Sequence, residues 1–78
     1  MAETGEREWT ERTKRFLKAE LKRADVTYET LAEKMGHLGW TETKASVASK
    51  IGRGGFPAAF FLAALKAIGR EHVRLEDV

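Results

Sequence analysis

Apolar side chains recur at helical spacing in four stretches of the chain, and Thr, Asp, Gly and Pro mark the breaks between them. From about Glu6 to Ala24, Trp9, Thr13, Phe16, Leu17, Leu21 and Ala24 fall on one stripe. Glu6, Glu8 and Glu11 sit early in this segment and Lys22 and Arg23 late, an order that suits the helix macrodipole. Glu20 lies inside the apolar stripe and must reach a cation or the rim. Asp25 ends the segment. Thr27 is a good N-cap for a short second helix, and Val26 and Leu31 occupy the positions of a hydrophobic staple. Leu31, Ala32 and Met35 form its inner face, and Gly36 is expected to supply the left-handed residue that stops it.

A turn from His37 to Trp40 leads to a third helix, expected from about Glu42 to Ile51, with Thr41 or Thr43 as its N-cap. At 100° per residue, Val47, Ala48 and Ile51 share the inner side. Glu42, Ala45, Ser46, Ser49, Lys50 and Arg53 share the outer one. Gly52-Arg53-Gly54-Gly55 breaks this helix. Pro57 suits the first residue of a fourth, which is apolar on nearly every side from Phe60 to Ile68, and Gly69 caps it. The tail from Val73 to Val78 alternates weakly, as a terminal strand or an abortive helical turn would. The expected fold is all-α, a compact bundle of four to five helices in one domain over residues 1–78, with 1–5 and 76–78 fraying.

Composition narrows the chemistry. The 78 residues leave room for one small core, and the absence of Cys removes disulfides, thiol catalysis and thiolate zinc sites. His37 and His72 are far apart and lack metal-ligand spacing, so no metal or cofactor is expected. Neither His lies near a plausible nucleophile, and the carboxylates do not converge as pairs, which argues against an enzyme. Gly52-Arg53-Gly54-Gly55 lacks the glycine-lysine spacing of a phosphate-binding loop. Trp9 and Trp40 read as core or hinge-packing residues, Tyr28 as a packing residue with its hydroxyl at the surface, and His37 as exposed. No apolar run approaches the roughly 18 residues of a membrane span. The polar, acidic start is unlike a secretory signal, and the expected location is cytoplasmic, on the nucleoid.

The net charge of +2 conceals a segregation. Residues 41–70 carry Lys44, Lys50, Arg53, Lys66 and Arg70 against Glu42 alone, and residues 12–23 carry six basic side chains against Glu20 alone. Such local fields attract a polyanion.

Leu31-Ala32-Glu33-Lys34-Met35-Gly36 resembles the second-helix signature of phage-repressor and Cro-type (XRE-like) helix-turn-helix domains. Ala48-Ser49-Lys50-Ile51-Gly52-Arg53-Gly54 resembles the end of their recognition helix, and Leu62 through Gly69 their following core helix. The resemblance covers roughly residues 26–69. It departs from that family in the turn from Gly36 to Thr41, which is several residues longer than usual. The whole chain is also similar to a small bacterial domain family of unknown function. The first resemblance implies a small DNA-binding transcriptional regulator.

The residues themselves argue the same way. A major groove admits one helix if its entering face is neither bulky nor acidic. Thr43, Ala45, Ser46, Ser49 and Lys50 are the candidate base contacts, with Thr43 and the first-turn N–H groups also suited to a phosphate oxygen. Lys44, Arg53 and Gly54, with Arg15, Lys18, Lys22 and Arg23 on the first helix, are the candidate backbone contacts. Glu42 is awkward there, because phosphate repels it. The expected partner is double-stranded DNA, bound by a homodimer through Ala59, Leu62 and Ala63, or through the tail around Val73 and Leu75. Two alternatives stand beside this reading. One is a protein-interaction module of the adaptor or antitoxin kind, using the fourth helix or Trp40. The other is a nucleic-acid binder without sequence preference.

Overall fold

In the computed structural model, each of four helices ends where the backbone bends through a left-handed residue. The structure describes the backbone of residues 2–78 and the side chains of residues 5–78; the fraying expected at residue 1 lies outside that range. The helices are α1 (Ala2–Arg23), α2 (Tyr28–Gly36), α3 (Lys44–Arg53) and α4 (Ala58–Ala67), followed by a 3-10 turn at Leu75–Asp77. The fold is all-α. No strand occurs among the described residues, so the tail takes the form of a helical turn rather than a terminal strand.

The starts of the central helices follow from threonine chemistry. Thr27 Oγ1 accepts the Thr30 N–H at 3.1 Å. Thr43, not Thr41, caps α3: its hydroxyl accepts the Ser46 N–H at 3.0 Å, and Ser46 Oγ accepts the Thr43 N–H at 2.8 Å. This reciprocal capping box fixes the start of α3 two residues later than expected. Pro57 stands just outside α4 as its N-cap, where its missing N–H costs nothing.

The helix ends share one device. After α1, Asp25 takes φ +58°, the Val26 N–H reaches Leu21 O at 2.9 Å, and the Asp25 N–H reaches Lys22 O at 3.1 Å. Gly39 and Gly69 end α2 and α4 in the same Schellman pattern, with Trp40 N–H on Met35 O and Arg70 N–H on Leu65 O. Gly54 at φ +80° ends α3 with a single bond to Lys50 O. The expectation for Gly36 is thereby corrected. Gly36 stays helical and Gly39 makes the reversal, which brings Trp40 back over the last turn of α2.

α2 packs against α3 and α4, and α1 lies across both. Leu17, Leu31, Met35, Val47, Ile51 and Phe60 are fully buried, each worth about 1.5–3 kcal/mol of apolar transfer. Phe56, Phe60, Phe61, Phe16 and Trp40 form a connected aromatic group with ring centroids 5.4–6.1 Å apart. Trp9, Thr13 and Ala24 of the α1 stripe lie outside the buried core, Thr13 half-buried at its edge. Ala24 is exposed because the helix ends before it, and Trp9 is 50% exposed. The 22 residues of α1 span roughly 33 Å at 1.5 Å each, so its first turns outrun helices less than half as long.

Asp25 is the one non-glycine residue with positive φ among those described, and an L side chain there is strained. Asp25→Gly is expected to stabilise the fold by about 0.5–1 kcal/mol. Gly54→Ala is expected to destabilise it by about 1–2 kcal/mol, since its φ is +80° and a Cβ would stand 3.1 Å from Thr10 Cγ2. Thermal or urea unfolding of both variants measures the two shifts, which must have opposite signs.

Candidate nucleic-acid interface

α3 owes its orientation to the residues on either side of its outer face. Its inner side buries Val47 and Ile51. One flank is a polar ladder at a spacing of four, Glu42, Ser46 and Lys50. The Glu42 side chain is only 2% exposed and takes Lys50 Nζ at 2.5 Å and Ser46 Oγ at 2.6 Å. Lys50 Nζ also lies 5.2 Å from the Phe60 ring centre and 5.9 Å from that of Trp40, within cation–π range. Burial pushes the Glu42 carboxyl up, but the Lys50 and Ser46 hydrogen bonds and the Lys50 charge outweigh it, so its pKa is held below the ordinary value.

This ladder divides the face expected from the helical wheel. Ser46 is spent on the capping box and on Glu42, and Lys50 on Glu42 and the aromatic rings. Neither is presented as a base contact, because both are held against the α3 flank. Glu42, the acidic residue that would repel phosphate, is turned inward and neutralised by the same contacts. Thr43, Lys44, Ala45, Ser49 and Arg53 remain exposed on the outer side, and Gly52 completes it. Gly54 is buried against Thr10 and Lys14 of α1, so the expectation of a backbone contact there is corrected.

The basic residues of α1 separate into two groups. Lys14 Nζ donates to Gly52 O at 2.8 Å and ties α1 to the C-terminal end of α3. Lys18 and Lys22 follow at intervals of four and border the start of α2 beside Val26 and Tyr28, so this row runs along the side that holds α3. Arg15 and Arg23 do not join it. They line a cleft with Arg12 and Arg70 on the side of α1 facing the tail. Arg23 and Arg70 both pair with the buried Glu20, which is the cation contact its place in the apolar stripe demanded.

On α4, Ala59 and Leu62 are exposed, Leu62 to 61%, and Ala63 is half-buried. Trp40 packs edge-on against Phe60 with ring centres 6.1 Å apart, as expected of a hinge residue. His37 and His72 are both exposed. The connection from α2 to α3 is seven residues, His37–Thr43, against the three or four usual in a helix-turn-helix.

The family described as Domain of unknown function (DUF6471) matches residues 9–73. The chain belongs to the DUF6471 family. No curated protein and no solved structure matches it. The DUF6471 match begins at Trp9 and runs through Val73, so it takes in α2, α3, α4, the Glu42 ladder and most of the Arg-lined cleft. The 3-10 turn of the tail lies beyond it. No helix among the described residues is long and apolar enough to cross a membrane.

The folded-state pKa of Glu42 is depressed, so its contribution to stability is complete above the ordinary carboxylate range and disappears as pH falls through its lowered value. Glu42→Gln is expected to cost about 1–2 kcal/mol at neutral pH and to flatten the loss of stability on acidification. Urea midpoints measured from pH 7 down to pH 3 test this. An unchanged acid dependence in the variant would exclude the ladder as its source.

Proposed function

We propose that this DUF6471 domain binds double-stranded DNA through the outer face of α3, as a small transcriptional regulator of the helix-turn-helix kind. The observation that carries the reading is the composition of that face. Two basic side chains flank small residues, and the single acid of the helix's approach is folded away. Ala45 and Ser49 allow close approach to base edges, with the Ser49 hydroxyl able to donate or accept. Lys44 and Arg53 reach phosphates on either side, and Thr43 with the first-turn N–H groups meets a phosphate oxygen. Lys18 and Lys22 extend the contact along the neighbouring backbone.

A single module of this size makes few contacts. We therefore assign a homodimer on a two-fold site, joined through Ala59, Leu62 and Ala63, with half-sites about one helical turn apart. The exposure of Leu62 equally favours a second reading, a protein-interaction module in which α4 is the working surface and the basic residues only solvate the domain.

Selection from a randomised duplex pool across a salt series separates the readings. The proposal expects a palindromic motif and affinity that falls steeply with salt. Lys44→Glu with Arg53→Glu is expected to weaken binding at least tenfold and to reduce the salt slope by about 0.9 for each phosphate left without its cation. Both residues are exposed, so unfolding does not confuse the result. Salt-dependent binding with no enriched motif would mean a binder without sequence preference. No binding at low salt would leave the α4 reading.

A further inference from the structure

Away from the α3 face, four arginines gather around a concavity. Arg12, Arg15, Arg23 and Arg70 line a cleft of about 490 Å³ between α1 and the tail. Its volume falls within the range of small-molecule sites. Against these four guanidinium groups stand two carboxylates of the lining, Glu20 and Asp77, which leaves the cleft with a positive excess. Phe16, Ala19 and Val78 provide an apolar wall.

Three of the four guanidinium groups are held in place by the protein. Glu20, only 4% exposed at the floor, accepts Arg70 Nη1 at 2.5 Å through one oxygen and pairs with Arg23 through the other. Arg70 Nε is further fixed on His72 O at 2.7 Å. Arg12 directs Nε and Nη2 to Val78 O at 3.0 and 2.7 Å and lies over the Trp9 ring. Each guanidinium carries five N–H donors, and none of the three uses all of them on these contacts. Arg15 is exposed and has no carboxylate partner among the described residues. Ordering of the donors before a ligand arrives reduces the entropy cost of binding. Planar forks of this kind match the oxygens of a phosphate bidentately.

We propose that this cleft binds a phosphomonoester, with the phosphate among Arg15, Arg23 and Arg70 and the organic part on the Phe16–Ala19 wall. The site opens on the side of α1 away from the Lys14 contact with α3, and its arginines are not among the residues of the DNA-binding surface proposed above, so it does not depend on that proposal. Because Arg70 follows directly on α4 while Arg15 and Arg23 belong to α1, an occupied site fastens the end of α4 to α1.

The test is calorimetry and two-dimensional NMR of the full chain titrated with adenosine monophosphate, with inorganic phosphate as the anion alone and adenosine as the apolar part alone. The expected result is saturable one-to-one binding of the monophosphate, weaker binding of phosphate, none of adenosine, and shifts confined to α1 and residues 70–78. Arg15→Ala, which removes no hydrogen bond or ion pair among the described residues, is expected to weaken binding about tenfold. Arg15→Lys is expected to recover part of it. Non-saturating shifts, shifts on the outer face of α3, or binding indifferent to Arg15→Ala would overturn the proposal. So would displacement of the monophosphate by a short duplex that shifts the same cleft resonances, because the cleft would then be part of a DNA surface. No DNA enters the first titration, so its failure is independent of any failure of the regulator reading.

Discussion

A helix that must hand the chain to a neighbour across so small a core reverses the backbone at a single residue just past its end. An L-residue resists the left-handed backbone that does this most economically. The bundle therefore depends on Asp25, Gly39, Gly54 and Gly69, each of which turns the chain at the end of one helix. They fall 14 or 15 residues apart, so each unit between them is a helix of nine or ten residues with its lead-in segment. Val26, Trp40 and Arg70, the residues that follow three of these turns, bond back to the preceding helix. For Val26 and Trp40 this also lays an apolar side chain over the helix end. The same geometry that satisfies the terminal carbonyls thus helps to close the core.

Polar bracing then decides which charges remain free. The two carboxylates with almost no exposure, Glu20 and Glu42, each satisfy both oxygens, one on Arg23 and Arg70, the other on Lys50 and Ser46. An unpaired carboxylate in either place would carry its full desolvation cost. Lys50 is therefore committed to structure, whereas Lys44 and Arg53, on the same helix, are not. Net charge or a helical wheel does not separate these cases. The separation comes from which cation lies within reach of a buried acid.

That distinction marks where the sequence was legible. The four helices, the Thr27 cap, the Gly69 stop and most of the core could be read from periodicity and capping chemistry, because each depends on residues within a turn of one another. The need of Glu20 for a cation was also readable, but Arg70, fifty residues away, was not. Gly36 and Gly39 occur in one turn, and what distinguishes the later glycine is the bond from Trp40 N–H to Met35 O with the Trp40 ring on Phe60. A helical wheel puts Glu42 on the outer face because it extrapolates α3 backward through its cap. Thr43 has an extended backbone (φ −124°, ψ 167°), so the wheel fails there and Glu42 turns inward. A signal was present in the spacing Glu42, Ser46, Lys50, which is that of a hydrogen-bonded ladder as much as of a shared exposed face. Phase alone puts Trp9 on the core stripe, and phase carries no information about how far a long helix outruns its neighbours.

The contacts that orient α3 lie on its inner side, on one flank and at its two ends, where Thr43 caps it and Gly52 O takes Lys14. Ala45, Ser49 and Arg53 make no side-chain hydrogen bond or ion pair with the rest of the molecule among the described residues. Natural variation at these positions is therefore nearly neutral for folding, while variation at Glu42, Ser46, Lys50 or the four turning residues is not. A lineage built on this scaffold is free to rewrite one surface of one helix while everything that holds the helix in place is inherited unchanged.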